Sequence, residues 1–475
     1  MNYNNDKNLW SSKEISKILG VNTESDWYCN NVEIDSRKVQ SGSLFLAMPG
    51  TELDGHSFIK DAVKKGAVGL VVKKSYKSSL YNNKLIKVNN VLRSLIIMSK
   101  AARKRINNSA NIIAITGSSG KTSTKEMMAS AFGALGKIYA NPDSYNNHVG
   151  VPYSLVNMSK GCQLGIFEIG MNNSSEISKL SKLVKPNIAI VTNVSEAHIG
   201  NFNSIYEVIK AKSEILNGLQ VNGYLIINRD FKYYNKFITY TNKFNNINIV
   251  TYGANKKADI YLSKRIIKKK GQKISALAYG KNYDYKINFD GIHQAVNSLA
   301  ILASLLVLKC NVSKGLKNLS KSFLPQGRGN KYNLVIKGYK SVLIDDSYNA
   351  NPSSVIASLS VLNEIAKNNR KVLILGEMGE LGKYSVNLHK KLFEYINKFN
   401  IGLVIFVGNN TKDLFKISKI KIQAIWSESV DKIIKEDIIN LIKPKDYILV
   451  KGSRFMRMEQ IVKFIRNKYT VKVDK

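Results

Sequence analysis

The sequence predicts an α/β protein, and two regularities support that prediction. Apolar, β-branched runs typical of buried strands alternate with helical patterns along most of the 475 residues, as parallel sheets covered by helices require. The strand-like runs end in polar residues, and open α/β sheets bind ligands at the carboxyl ends of their strands. We expect a small α/β domain over residues 1–105, a central parallel-sheet domain over 106–325 and a Rossmann-like α/β domain over 326–475.

The elements of the first domain are short. Residues 10–19 have the pattern of an amphipathic helix with a serine cap, strand-like runs follow at 32–37, 42–47 and 68–72, and a helix is predicted at 58–66. Asp35-Ser-Arg37 stands at a strand end, where an arginine could pair with a phosphate. An ordinary surface turn is the simpler explanation of that triplet.

The most informative stretch begins the central domain. Thr116-Gly-Ser-Ser-Gly-Lys-Thr122 lies between an apolar strand at 112–115 and a helical pattern, which is the geometry of a P-loop. Its glycines let backbone N–H groups approach phosphate oxygens, and the helix N-terminus adds partial positive charge. Lys121 can reach the β- and γ-phosphates, and the Thr122 hydroxyl can bind Mg²⁺. A tight turn with an incidental Lys-Thr pair remains the alternative, because Ile115 replaces a glycine usual in P-loops.

Polar side chains also follow the other strands. Central strands are predicted at 112–116, 164–169, 188–193 and 224–228, and third-domain strands at 342–346, 372–377, 403–407 and 447–450. Glu168 ends a strand beside the P-loop, where it is equally a Mg²⁺ ligand or a solvated strand terminus. Two sheets with polar edges facing each other predict a cleft that closes by domain movement.

Composition narrows the class of protein. The net charge of +38 permits nucleic-acid or membrane binding, but lysine is scattered along the whole chain together with abundant Asn, Ile and Tyr, as in an AT-rich coding bias. The densest basic run, 264–270, alternates with apolar residues and predicts a solvated sheet edge. Three widely spaced cysteines indicate neither a disulfide framework nor a zinc site. No apolar run is long enough to span a bilayer, so a cytoplasmic protein is expected.

Taken together, the motifs resemble the Mur ligase family over essentially the whole chain. The matching motifs are the P-loop, Asn146-Asn147, Glu168-Ile-Gly170, Thr192-Asn-Val-Ser-Glu-Ala-His198, Ala211-Lys-Ser-Glu-Ile215, Gly291-Ile-His293, Asn297, Gly327-Arg328, Asp345-Asp-Ser-Tyr-Asn-Ala-Asn-Pro352, 376–382 and Lys451-Gly-Ser453. Within the family, the resemblance is to ligases that join D-alanyl-D-alanine to a UDP-N-acetylmuramoyl-tripeptide in peptidoglycan precursor synthesis. It implies ATP-dependent activation of a carboxylate as an acyl phosphate, which an amine then attacks.

The resemblance also implies roles for ATP and Mg²⁺ ligands. ATP would contact Gly117, Ser118, Ser119, Gly120, Lys121, Thr122, Asn297 at the adenine, Arg328 at the phosphates and Asp346 at the ribose. Thr122 and Glu168 would hold one Mg²⁺, and His198 with a carbamylated Lys212 would hold a second. Lys121, Lys212 and His198 are therefore the expected catalytic residues.

Substrate contacts are implied in all three domains. The UDP end would meet Ser36, Arg37, Asp54 and His56, the muramoyl peptide would border Asn146 and Asn147, and further substrate contacts are expected at Thr192, Asn349 and Asn351. The expected partners are these small molecules only, with no nucleic acid and no membrane span, and the protein is expected to be a monomer.

Three alternatives stay open at this point. The sister Mur ligase adding lysine or diaminopimelate usually carries Asp-Asn-Pro-Arg in its third domain, and Gly408-Asn-Asn-Thr-Lys412 occupies the comparable region here. Folylpolyglutamate synthetase lacks a UDP-binding first domain, whereas about a hundred residues precede this P-loop. A nucleic-acid-dependent NTPase would need a basic groove with interleaved aromatic residues, which the sequence does not offer.

Overall fold

The computed structural model describes residues 8–50, 53–106, 110–142, 145–436 and 438–469. In these ranges the chain forms sheets of four, nine and six strands and a two-stranded ribbon, with helices packed against the sheets. The predicted α/β class is confirmed. Each large sheet takes its strands from one predicted domain, while the exact boundaries at 105/106 and 325/326 stay predictions.

The first domain is built on a parallel sheet. It contains β1 (Trp10–Ser11), α1 (Ser12–Leu19), β2 (Tyr28–Cys29), β3 (Asn31–Glu33), β4 (Ser43–Leu46), α2 (Ile59–Lys64), β5 (Gly69–Lys73), β6 (Leu85–Val88) and α3 (Val91–Arg105). Helix α1 begins at a capping box, in which Ser11 and Glu14 each bond the other's backbone N–H. Strands β3 to β6 pair in chain order, so the loops after β3 and β4 share one edge.

The P-loop of the central domain follows a strand inside the nine-stranded sheet, the third from one edge. Its elements are β7 (Asn111–Thr116), α4 (Lys121–Gly133), β8 (Ile138–Ala140), α5 (Gly150–Val156), β9 (Leu164–Glu168), α6 (Glu176–Val184), β10 (Ile188–Val191), α7 (Ile205–Ser213), β11 (Tyr224–Asn228), α8 (Tyr234–Thr241), β12 (Asn248–Gly253), β13 (Ile260–Ile267), β14 (Gln272–Ala278), β15 (Lys281–Ile287), α9 (Ile292–Val307) and α10 (Val312–Leu319). Strand β7 pairs in parallel with β9 and β10. The ends of these three strands therefore meet at one edge, as the sequence predicts.

One side of the central sheet is antiparallel, which the sequence analysis did not anticipate. Strands β13, β14 and β15 form a meander that extends the sheet beyond β12. The basic run 264–270 begins in β13, where residues 264–267 pair only with β14, so this part is a sheet edge. Within this run Arg265 is an exception to the predicted exposure to solvent, because its guanidinium donates to both carboxylate oxygens of Glu364 in the third domain at 2.6 and 2.8 Å.

The third domain repeats the strand–helix alternation. It contains β16 (Asn330–Ile336), β17 (Tyr339–Asp346), α11 (Pro352–Ala366), β18 (Lys371–Gly376), α12 (Ser385–Lys398), β19 (Leu403–Val407), α13 (Lys412–Ser418), β20 (Ala424–Ser427), α14 (Val430–Lys435), β21 (Tyr447–Lys451) and α15 (Glu459–Tyr469). The sheet order is β16-β17-β21-β18-β19-β20, parallel except for the β16–β17 hairpin. Asp346, Gly376 and Lys451 consequently end neighbouring strands at the same edge.

Polar contacts fasten the domains to one another. Asn157 of the central domain accepts a hydrogen bond from Val32 N and donates one to Val32 O, at 2.8 and 2.9 Å, so its amide substitutes for a strand partner of β3. On the other side, the Asn351 amide at the start of α11 donates to Ser118 O in the P-loop at 3.3 Å. None of the helices in the described ranges combines the length and apolarity that crossing a membrane would demand.

Candidate active site

Glycine geometry shapes the loop between β7 and α4. Gly120, directly before α4, has φ +79°, and a Cβ there would lie 2.7 Å from the Asn297 amide nitrogen. Gly117 has φ +151°, and a Cβ would collide with the Thr192 hydroxyl. The close approach of neighbouring side chains therefore demands glycine at both positions.

The same loop is fastened to the end of β10. The backbone N–H groups of Ser118 and Ser119 donate to the backbone and side-chain oxygens of Asn193 at 3.0 and 2.8 Å. The Thr192 hydroxyl donates to Ser119 O at 2.6 Å. Thr192 and Asn193 thus hold the shape of the loop, and Asn193 is a contributor to which the sequence analysis assigned no role.

Lys121, which is partly buried, and Glu168, which is buried, are opposite charges at the base of the site. The Lys121 ammonium donates to Gly117 O at 2.8 Å; burial lowers its pKa, and Glu168 opposes that effect. Burial disfavours ionisation of Glu168, but Lys121 and Arg328 outweigh it and keep the Glu168 pKa below its ordinary value. The site is therefore preorganised for anionic phosphoryl groups.

Two side chains whose oxygen atoms could bind a metal ion, Thr122 and Glu168, lie beside Lys121 of the P-loop. The Thr122 hydroxyl donates to Glu168 Oε2 at 2.7 Å, and the Asn146 amide donates to Glu168 Oε1 at 2.8 Å. Thr122 is 3% exposed and Glu168 is 4% exposed. Both carboxylate oxygens are thus oriented by neighbours, so Glu168 is not a solvated strand terminus, and its role as a Mg²⁺ ligand stays a prediction.

His198 lies in a loop after β10 and contacts the third domain. Its φ is +61°, and its Nδ1 lies 2.6 Å from Glu380 Oε2. The close contact with His198 lowers the pKa of Glu380, which favours the ionised carboxylate. Glu380 is not among the predicted site residues, although it lies within the motif 376–382.

Lys212 is fully buried in α7, whereas its neighbour Lys210 is exposed. Within the described part of the chain, no hydrogen-bond acceptor meets the Lys212 Nζ. Burial lowers the pKa of Lys212 well below its ordinary value, and the positive charge of Lys121 adds to the effect. Burial therefore favours the neutral amine form of Lys212, unlike that of a typical surface lysine.

These residues fit Mg²⁺ bound together with a nucleotide. The described residues include no cluster of three or more His, Cys, Asp or Glu side chains suited to a metal. Nucleotide-associated Mg²⁺ does not need such a cage, because one or two protein oxygens complement phosphate oxygens and water. The Thr122–Glu168 pair supplies such oxygens, and the buried, unpartnered Lys212 amine could supply further ones only after modification.

A cleft of about 940 Å³ lies between the central and third domains. Most of the predicted site residues line it: Ser118, Ser119, Gly120, Lys121, Thr122, Asn146, Glu168, Thr192, His198, Asn297, Arg328, Asp346, Asn349 and Asn351. Gly117, Asn147, Lys212 and the four first-domain candidates are not among the lining residues. The structure therefore brings together the ATP and metal candidates, apart from Gly117 and Lys212, which lie behind the cleft surface.

The third domain contributes a held carboxylate and two cations to the cleft. The Lys451 ammonium donates to Asp346 Oδ2 at 2.6 Å and to Asn349 O at 3.1 Å. The Arg328 guanidinium stacks 4.0 Å from the centroid of the Tyr348 ring. Lys451 belongs to the motif Lys451-Gly-Ser453, and no role was predicted for it. Its contacts show that it orients Asp346.

Several candidates outside the cleft make local hydrogen bonds instead. Asn147 accepts from the N–H of Gly150 at the start of α5, at 2.8 Å. His56 bonds Asp54 through Nδ1 at 2.6 Å and accepts from Lys73 N through Nε2 at 3.0 Å, so both ring nitrogens are occupied. Arg37 is exposed and pairs with Asp35 at 2.8 Å. The substrate roles of these residues and of Ser36 stay predictions.

Sequence models of three Mur ligase domains match this chain. The family described as "Mur ligase family, catalytic domain" matches residues 29–114, "Mur ligase middle domain" matches 115–305, and "Mur ligase, glutamate ligase domain" matches 334–454. Together the three matches cover most of the chain, including the P-loop and both walls of the cleft.

Individual relatives agree over the full length. The UDP-N-acetylmuramoyl-tripeptide–D-alanyl-D-alanine ligase of Rickettsia prowazekii is 35% identical, over 96% of this chain and 99% of that protein. A crystal structure of MurF from Acinetobacter baumannii superposes with a TM-score of 0.83 at 26% identity, covering 96% of this chain and 99% of that one. The MurF ligase of Thermotoga maritima, solved in complex with ADP, has a TM-score of 0.77 at 24% identity, covering 92% and 97%. By its sequence and by its fold, this chain belongs to the Mur ligase family.

Proposed function

We propose that this protein is the ATP-dependent ligase that joins D-alanyl-D-alanine to UDP-N-acetylmuramoyl-tripeptide in peptidoglycan precursor synthesis. The observation that carries the proposal is the P-loop with its Thr122–Glu168 pair facing the third domain across the cleft. The choice of substrates is supported by the 35% identity, over 96% of this chain, to a relative named for that reaction. We expect ADP and inorganic phosphate as the other products.

The charges of the cleft suit the chemistry. A carboxylate oxygen of the tripeptide attacks the γ-phosphorus of ATP and ADP leaves; the dipeptide amine then attacks the acyl carbon, and phosphate and a proton leave. Both steps place negative charge on phosphoryl oxygens. Lys121 and Arg328 face those oxygens from opposite domains, while the backbone of the P-loop holds the phosphate chain. The enzyme contributes chiefly by positioning and charge stabilisation.

ATP and Mg²⁺ are the proposed cofactors. Thr122 and Glu168 would hold one Mg²⁺, which when bound neutralises charge on the transferring phosphoryl group. His198 and Lys212 would hold a second, with Lys212 as a carbamate. The buried and unpartnered Lys212 amine supports this modification, because a neutral amine can add CO₂ and release a proton, which gives a carbamate whose two oxygens share one negative charge.

The other site residues take their places around this centre. Asn297 is proposed to contact the adenine and Asp346 the ribose; Asn297 lies against Gly120, and Lys451 holds Asp346. Asn349 and Asn351 would border the substrates from the third domain. In the first domain, the shared edge after β3 and β4 is the proposed site for the UDP end.

One assay tests the substrate assignment. Phosphate release from ATP is measured with UDP-N-acetylmuramoyl-tripeptide plus D-alanyl-D-alanine, and with either substrate omitted. We expect release only when both are present. The matched alternative supplies the UDP-linked dipeptide with L-lysine or diaminopimelate. Turnover in that mixture, with none for D-alanyl-D-alanine, would assign the chain to the sister ligase.

A further inference from the structure

Two loops from different domains meet beside the predicted second cation site. The central-domain loop after β10 carries His198, and the third-domain loop after β18 carries Glu380. Besides the His198–Glu380 pair at 2.6 Å, the N–H of Gly200 donates to Glu380 O at 2.9 Å. Tyr384 donates its hydroxyl proton to Asn203 O at 2.6 Å. These two hydrogen bonds fasten the loop that carries Glu380 to the central domain, in addition to the contact made by its carboxylate.

The backbones of the two loops are shaped for close approach. A Cβ on Gly200 would collide with Gly382 N, and a Cβ on Gly382 would lie 2.8 Å from Gly200 Cα. His198 and Glu380 both have left-handed φ values, of 61° and 59°. Such values are unfavourable in non-glycine residues and persist only where the surroundings impose them. The contact is therefore a specific docking arrangement.

The His198–Glu380 pair contributes little to stability by itself. The Glu380 side chain is 48% exposed and that of His198 is 18% exposed, and solvent screens so exposed a pair. The pair matters more for the orientation and tautomer of the His198 ring than for stability. A carboxylate cannot donate, so its contact with Nδ1 at 2.6 Å favours the tautomer with the proton on Nδ1, which leaves the Nε2 lone pair for a cation on a ring that lines the cleft.

We propose that Glu380 is a positioning residue that fixes the tautomer and orientation of His198 when the third domain docks. Docking thereby orients a ligand of the second cation site, so that site binds its cation most tightly in the closed enzyme. The chemistry is that of a carboxylate–histidine–metal triad, in which the outer carboxylate orients the ring and makes it a better ligand. The inference rests on the proposed function, because that function makes His198 a Mg²⁺ ligand.

Binding of Mn²⁺ in place of Mg²⁺ provides the test. Electron paramagnetic resonance counts Mn²⁺ bound to the full chain in the presence of a non-hydrolysable ATP analogue and UDP-N-acetylmuramoyl-tripeptide. We expect two Mn²⁺ in the wild type. Glu380→Gln keeps the size but not the charge, and should weaken the second Mn²⁺ about 10- to 100-fold while leaving the first unchanged. Tyr384→Phe, which removes a hydrogen bond of the same interface, should change neither affinity more than about twofold.

A double-mutant cycle separates orientation from general loosening of the interface. In a His198→Ala background, Glu380→Gln should have no further effect on Mn²⁺ binding. Imidazole ¹⁵N spectra should show that the His198 signal loses its Nδ1–H signature in Glu380→Ala, which removes the acceptor, and keeps it in Tyr384→Phe. Unchanged Mn²⁺ affinity in Glu380→Gln, an equal loss in the His198→Ala background, or a single Mn²⁺ in the wild type would each overturn the proposal. Failure of the proposed function is seen separately, as absent phosphate release with D-alanyl-D-alanine in the wild type.

Discussion

Lys212→Met is expected to raise the melting temperature of the ligand-free protein and, at the same time, to nearly abolish ligation. The Lys212 amine is fully buried and finds no hydrogen-bond partner among the residues described by the structure. An unsatisfied buried polar group costs about 1–3 kcal/mol, which an apolar side chain of similar length does not incur. At roughly 2–4 °C per kcal/mol for a cooperative unit of 150–250 residues, a gain of ~2 kcal/mol is a rise of about 4–8 °C.

The effect on activity should have the opposite sign. If a carbamate on Lys212 helps to hold the second Mg²⁺, its loss removes a charge interaction in the phosphoryl-transfer transition state. Removal of one such group costs about 10²-fold or more in rate. A residue that is unfavourable for folding and necessary for the reaction is the expected signature of a functional site.

Lys210→Met is the matched control, because Lys210 lies on the same helix but is exposed. Melting is followed by calorimetry in CO₂-depleted buffer with a chelator, and ligation by phosphate release. The control should change neither quantity appreciably. A lower melting temperature for Lys212→Met, or full ligation activity in it, would refute the reasoning. Acetate or formate should partly restore a Lys212→Ala variant, since a small carboxylate can supply the missing oxygens.

Three further outcomes are expected. Burial raises the pKa of Glu33 from 4.5 to about 7. Between these two pH values the folded protein keeps the proton on Glu33 and the unfolded chain has lost it. The free energy of unfolding therefore falls as the pH rises through this range. Glu33→Gln should therefore raise the melting temperature at pH 8 but not at pH 4, and an identical shift at both values would contradict this. Thr122→Val should reduce Mg²⁺-dependent phosphate release by about 10²-fold with an unchanged circular dichroism spectrum; retained activity would remove Thr122 from the site. Fluorescence anisotropy should detect no sub-micromolar DNA binding at physiological salt despite the net charge of +38, because non-specific phosphate contacts weaken steeply with salt.

The P-loop and the polar strand ends around it could be predicted from the sequence because both signals are local. A β-branched run, a glycine turn and a helical pattern are each read within a few residues, and parallel pairing then brings Glu168 to the P-loop. The predicted strands at 224–228 and 403–407 coincide with β11 and β19 residue for residue. Both lie inside their sheets, where burial on both faces leaves an uninterrupted apolar run.

Strands that are short or half-exposed were missed. Strand β8 has three residues, and β15 and β16 alternate between exposed and buried positions at the edges of their sheets. Their polar residues face solvent and dilute the apolar signal, so the antiparallel side of the central sheet was not anticipated.

Contacts between residues far apart in the chain decided the rest. In a chain with 72 lysines and arginines, only the family motif Ala211-Lys-Ser-Glu-Ile215 marks Lys212, and composition and helical pattern do not distinguish it from the exposed Lys210 until packing buries one of them. Likewise, no local pattern pairs Glu380 with His198, because they meet only when two domains dock. Sequence patterns report which face of an element is apolar, whereas desolvation and pairing of a charge depend on which other element covers that face.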